Sequence, residues 1–177
     1  MKLPWLWIPL ALFSLFFGFV AYGLLNPPSR TITSKMIGKP LPAFALPPAT
    51  EGVTGLGSTD FADGQPRILN IFASWCIPCI AEAPVLMDLK QRGVTIDAIA
   101  IRDRPQDVAR FLERNGNPYR RIGSDTVGQV QISMGSSGVP ESFVIDGKGI
   151  IRHQHIGDIR QDDIPELLDA LEKAKNQ

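Results

Sequence analysis

The chain has 177 residues, 44% of them hydrophobic and 20% charged, with 18 Lys+Arg against 18 Asp+Glu. That is about one domain's worth, too apolar for a disordered tail and too charged for a membrane bundle. Residues 51–177 carry 14 basic against 18 acidic residues, a net of −4 that leaves no electrostatic footprint for nucleic acid, and two cysteines exclude a multi-disulfide scaffold or a four-thiolate zinc site.

From Leu3 to Leu25 run 23 residues without a charge, rich in Leu, Phe and Trp. As a helix this stretch would be about 34 Å long, enough to cross a hydrocarbon core of about 30 Å. Pro4 and Pro9 fall near its start, where proline disturbs a helix least, and Trp5, Trp7 and Tyr22 lie towards its ends as interfacial aromatics do. The competing reading is a cleaved signal peptide, with Lys2 as its basic end and Ala21-Tyr22-Gly23 as the cleavage site; both readings export the body. The expected organisation is a transmembrane anchor over 1–25, an extended proline-containing linker over 26–37 and a globular domain over 38–177.

Within the body, Arg67-Ile-Leu-Asn-Ile-Phe-Ala73 is a short apolar run suited to a strand buried on both faces. Cys76 to about Gln91 carries good helix formers and is followed by Gly93. Val94 to Ile101 reads as a second strand, and Arg104 to Asn115 as a helix closed by Gly116-Asn117-Pro118. Residues 141–145 and 149–155 form two runs joined by the hairpin signal Asp146-Gly147-Lys148. Asp162 to Lys175 closes the chain as a helix, acidic at its start and basic near its end. This succession predicts an α/β fold, a mixed sheet with helices on both faces.

Trp75-Cys76-Ile77-Pro78-Cys79 comes directly after a strand and opens a helix. A cysteine there meets the unpaired N–H groups and partial positive charge of the helix N-terminus, which favour thiolate over thiol. A pKa near 8.5 falls to roughly 3.5–7.5 in such settings. The spacing brings Cys79 back to Cys76 across one turn, so that Cys76 is the exposed nucleophile and Cys79 the thiol that resolves a mixed disulfide. A zinc or copper site would need His153 or His155 to join the pair, and Ile80 stands where a haem-attachment motif needs His. A purely structural disulfide would constrain little, because its loop is two residues long.

Leu69-Asn-Ile-Phe-Ala-Ser-Trp-Cys-Ile-Pro-Cys79, with Pro84 five residues on, resembles the active-site strand and kinked helix of thioredoxins. Ile37-Gly-Lys-Pro-Leu-Pro-Ala-Phe-Ala-Leu46, Gly138-Val-Pro-Glu-Ser-Phe-Val-Ile-Asp-Gly147 and the N-terminal apolar segment narrow the likeness. Together they resemble the membrane-anchored thioredoxin-like proteins of cytochrome c maturation, the CcmG/DsbE family, over about residues 37–173.

The resemblance implies a thioredoxin-like fold and a thiol:disulfide oxidoreductase on the bacterial inner membrane, facing the periplasm. It implies no cofactor. The activity would be reduction of apocytochrome c disulfides or those of a maturation partner, with a membrane thiol–disulfide transporter as electron donor. It assigns Cys76 and Cys79 as the redox pair, Pro140 as a cis-proline facing it, and Glu82 and Glu141 as acidic groups near the cysteines. Asn70 stands where thioredoxins carry a buried aspartate. Glu82, three residues after Cys79, lies on the same helix face and suits a proton shuttle if buried; otherwise it is a solvated surface glutamate. Glu141 is equally readable as an acid at a strand edge, His153 and His155 as solvated hairpin residues.

One segment departs from the family pattern Gly-Val-Tyr-Gly-x-Pro-Glu: here Ser136 and Ser137 replace the apolar and aromatic pair, which changes the groove offered to a partner. Rival readings are a general periplasmic reductase or oxidant of the same fold, a copper or zinc metallochaperone, and an anchored interaction domain with inert cysteines.

Overall fold

The computed structural model describes residues 7–25 and 36–176. The chain divides into two compact units, Met1–Thr33 and Ser34–Gln177. The first contains α1, Trp7–Leu25, a 19-residue helix whose large apolar side chains, among them Leu10, Phe13 and Phe16, are exposed. Among the described residues no helix is long and apolar enough to cross a membrane. Of the segment expected to span a membrane from Leu3, residues 3–6 lie outside the described residues, and the described part is a 19-residue helix that rises about 28 Å. The linker expected over 26–37 lies, except for Met36 and Ile37, outside the described residues.

The second unit is built on a five-stranded mixed sheet. Its strands are β3 (Arg67–Phe72), β4 (Ile96–Ile101), β5 (Ile122–Asp125), β6 (Glu141–Ile145) and β7 (Ile151–Ile156), in the order β5-β4-β3-β6-β7. Central β3 pairs parallel with β4 and antiparallel with β6, β4 pairs parallel with β5, and β7 joins β6 as a hairpin. Every residue of β3, β4 and β6 is buried, as their near-continuous apolar character requires.

Helices cover both faces. The face carrying Asn70 and Phe72 meets α2 (Ile77–Gln91) through Glu82 and α3 (Pro105–Asn115) through Phe111, whose ring centroid lies 5.2 Å from that of Phe72. His155 pairs across β6 in the same row, and its approach to Asp163 at 3.8 Å brings the start of α5 (Ile164–Lys175) to this face. On the other face Asp125 accepts from the backbone N–H groups of Gln129 and Gln131 and so starts the short helix α4 (Gln129–Ser133). The fully buried Ile68, Leu69, Ile71, Ile99, Phe143 and Val144 form the core, each contributing about 1.5–3 kcal/mol on burial.

Three elements differ from expectation. β5 went unread because Ile122-Gly-Ser-Asp125 has a single large apolar side chain. Its Gly123 lets a small hairpin of β1 (Ala45–Leu46) and β2 (Leu56–Gly57) close down, since a Cβ there would sit 2.8 Å from Leu46 Cβ. The last helix starts at Ile164, not Asp162; residues Gln161–Asp163 form a 3₁₀ turn in which the Asp163 carboxylate accepts from the Arg160 N–H at 2.8 Å. His153 and His155 are half-buried against α5 rather than solvated.

Candidate active site

β3 delivers the chain from the core to its edge at Phe72, and Ala73-Ser74-Trp75 turns it into α2. The turn is held from β4's side. Asp103, just past β4, accepts from the Ser74 N–H and from the Ser74 hydroxyl, both at 2.6 Å. Two charge-assisted bonds of about 1.5–3 kcal/mol each are at stake. Asp103→Ala is therefore expected to lower unfolding free energy by roughly 2–4 kcal/mol in a denaturant titration, with Asp103→Asn milder because one acceptor remains.

Cys76 caps α2. Its backbone is extended, its Sγ accepts from the Cys79 N–H at 3.2 Å, and Pro78 occupies the first turn, where the lack of an N–H costs nothing. Cys76 and Cys79 form a disulfide with their Cα atoms 5.3 Å apart. α2 continues through Pro84, and no acidic residue lies in its first turn to oppose a thiolate.

Cys76 is only 4% exposed, which corrects the expectation of an open nucleophile. Its sulfur is folded into the N-terminal turn, and the apolar side chains around it take the solvent instead: Trp75, Ile80 and above all Ile77, 79% exposed. Beside this collar a cleft of about 380 Å³ opens between Ser74, Ile80 and the α3 residues Asp107, Arg110, Phe111 and Arg114.

Glu82 is 1% exposed, one turn beyond the buried Cys79. Its Oε1 accepts from Asn70 Nδ2 at 3.0 Å, and its Oε2 accepts from the Ile159 N–H at 3.0 Å. Asn70 is itself held by three groups. Its Nδ2 also donates to Ser142 Oγ at 3.0 Å, and its Oδ1 accepts from the Tyr119 hydroxyl at 2.9 Å. Burial raises the Glu82 carboxyl to about 7; the Ile159 and Asn70 donors oppose this and the Asp158 charge adds to it. Burial, with the Glu82 charge nearby, likewise holds the Tyr119 hydroxyl well above its usual range, so it remains a donor.

The Val139–Pro140 peptide bond is cis. Because Glu141 pairs with Ile71 across the β3–β6 ladder, Pro140 arrives at the end of the sheet from which the Cys76 turn departs. Glu141 is buried, but its hydrogen bonds go to Ser137 and Gln154. Among the described residues no three of His, Cys, Asp or Glu gather as a metal site. Sequence reasoning missed Asp103, Tyr119 and the Ile159 N–H. Only Asn70, a polar residue inside an apolar strand, signalled a buried network.

Residues 36–171 match the Redoxin family model. The chain belongs to the Redoxin family. This redoxin is 40% identical over 150 residues to the thiol:disulfide interchange protein DsbE of Pseudomonas fluorescens biotype C, covering 85% of this chain and 83% of the relative. It is 33% identical over 171 residues to the thiol:disulfide interchange protein HelX of Rhodobacter capsulatus, covering 97% of each. A crystal structure described as a DsbE interchange protein from Chlorobium tepidum superposes with a TM-score of 0.62 at 28% identity, over 80% of this chain and 99% of that one. The redoxin is a thiol:disulfide oxidoreductase with a Cys-x-x-Cys pair and a thioredoxin-like fold.

Proposed function

We propose that this redoxin is a membrane-tethered periplasmic reductant that opens the Cys-x-x-Cys-His disulfides of apocytochromes c, or of a thiol protein that passes them electrons, during cytochrome c maturation. The observation that carries the reading is a cysteine pair at a helix N-terminus with a buried, hydrogen-bonded carboxyl one turn behind it. In the dithiol form the Cys76 thiolate attacks one sulfur of the substrate disulfide, and the electron pair of the broken bond leaves on the other sulfur. Cys79 gives its proton to Glu82 and attacks Cys76 Sγ, breaking the mixed disulfide so that the electron pair leaves on the substrate sulfur that Cys76 had bound. The substrate has gained two electrons, the Cys76–Cys79 disulfide remains, and a membrane thiol–disulfide transporter restores the dithiol. Pro140 borders the surface on which the substrate segment lies.

The tether is residues 3–25, which hold no charge and whose large apolar side chains along α1 are exposed, a composition suited to lipid. One set of measurements tests the whole reading. The reduced full chain is expected to reduce an oxidised Cys-x-x-Cys-His peptide, to equilibrate with glutathione at a potential well below about −200 mV, and to stay with membranes through an alkaline wash. A potential near −120 mV would make it an oxidant. Release by the wash would remove the tether.

A further inference from the structure

The two serines that replace an apolar and aromatic pair in the family pattern have a defined place in this fold. Ser137 donates twice to Glu141 Oε1, from its N–H at 2.8 Å and from its hydroxyl at 2.7 Å. Gln154 Nε2, from edge strand β7, donates to Glu141 Oε2 at 2.8 Å. Ser136 Oγ and Gln131 Nε2, the latter from α4, both donate to the Gly138 carbonyl at 3.0 Å. The loop over residues 136–138 is thus pinned from α4 on one side and through Glu141 from β6 and β7 on the other, immediately before Val139 and Pro140. Gln154 Oε1 is buried without a hydrogen-bond partner among the described residues, so the donor end of this amide is the end that is bonded, to Glu141.

We infer that Ser136, Ser137, Glu141, Gln131 and Gln154 form a polar brace that sets the shape of the loop before Pro140, and that Glu141 is a positioning residue for polypeptide substrates rather than a proton-transfer group. An aromatic residue at 137 would present a ring at this edge; serine instead turns its hydroxyl inward to Glu141 and leaves the rim small and polar. The brace acts on how an extended substrate segment seats beside Val139, so it matters for polypeptides and not for a small disulfide that only has to reach Cys76. The substrate side of this inference rests on the reductant reading above.

The test uses the full chain and two probes, insulin and a small aromatic disulfide. Ser137→Ala removes one of the two bonds from residue 137, so KM for insulin is expected to rise about fivefold with kcat unchanged, while the rate with the small disulfide stays as in the parent. Glu141→Gln is expected to raise KM for insulin while keeping the shape of the pH–rate profile. Equal losses on both probes for Ser137→Ala, or a displaced pH profile for Glu141→Gln, would overturn the inference. A parent that reduces insulin but not the Cys-x-x-Cys-His peptide would instead remove the cytochrome reading and leave the brace testable.

Discussion

Cys76→Ala is expected to lose disulfide reduction by at least about 10³-fold, down to the rate of buffer thiols, because the remaining thiol, Cys79, is buried in α2 and poorly placed for the first attack. Cys79→Ala is expected to fail differently. Cys76 remains at the N-terminus of α2, where a thiolate is favoured, so the first attack proceeds, but nothing resolves the adduct. Mixed disulfides with partner proteins should then accumulate on non-reducing gels and be identified by mass spectrometry. Adducts on Cys76→Ala rather than Cys79→Ala would reverse the assignment. The asymmetry has a structural basis: Cys76 lies at the surface end of the turn beneath the exposed Ile77, whereas Cys79 faces inward, one turn before Glu82.

Glu82→Gln carries the second large effect, and it has two readouts. General-base assistance is worth about 10²–10⁴-fold, so the resolving step should slow by at least tenfold near neutral pH and the limb of the pH–rate profile near pH 7 should vanish. Stability should report the same group. Its carboxyl rises from 4.5 in the unfolded chain to about 7 in the fold, so between those values the native state binds more protons. The folded protein is therefore favoured below about pH 4.5 and loses stability as pH rises to about 7, by about 3 kcal/mol in all. A glutamine cannot titrate, so the falling contribution of Glu82 across this window should disappear and leave the opposite, rising contribution of His153, whose pKa burial lowers. The glutamine amide also sets a donor against either the Asn70 amide or the Ile159 N–H, so the variant is expected to be less stable than the parent at pH 5. An unchanged slope in Glu82→Gln would mean that the buried carboxyl does not titrate near neutrality.

Much of this architecture follows from local chemistry. The apolar runs at 67–72, 96–101 and 141–145 have no stable place except inside a sheet, and each is wholly buried. Cys76 caps a helix because the residues after it propagate one and Pro78 fits its first turn, so a cysteine pair at a helix start was readable from order and spacing alone. β5 was not readable, because Gly123 and Ser124 carry little apolar surface and that strand exists through pairing with β4 and packing by Leu46.

The strand–turn–helix that presents Cys76 and Cys79 and the one-turn separation of Cys79 and Glu82 follow from local order, because they depend on neighbours within a few positions. The surroundings of Glu82 and Glu141 are set by contacts made across the whole domain. Asn70, Tyr119, Ser142 and Ile159 come from four separate stretches of chain, and their meeting around Glu82 desolvates the carboxyl while satisfying both its oxygens. Glu141 is equally buried, yet Ser137 and Gln154 turn it towards the loop before Pro140. A carboxylate's role is set by the donors and low-dielectric surroundings that folding brings to it, and those are fixed by sheet register and helix packing across the whole domain.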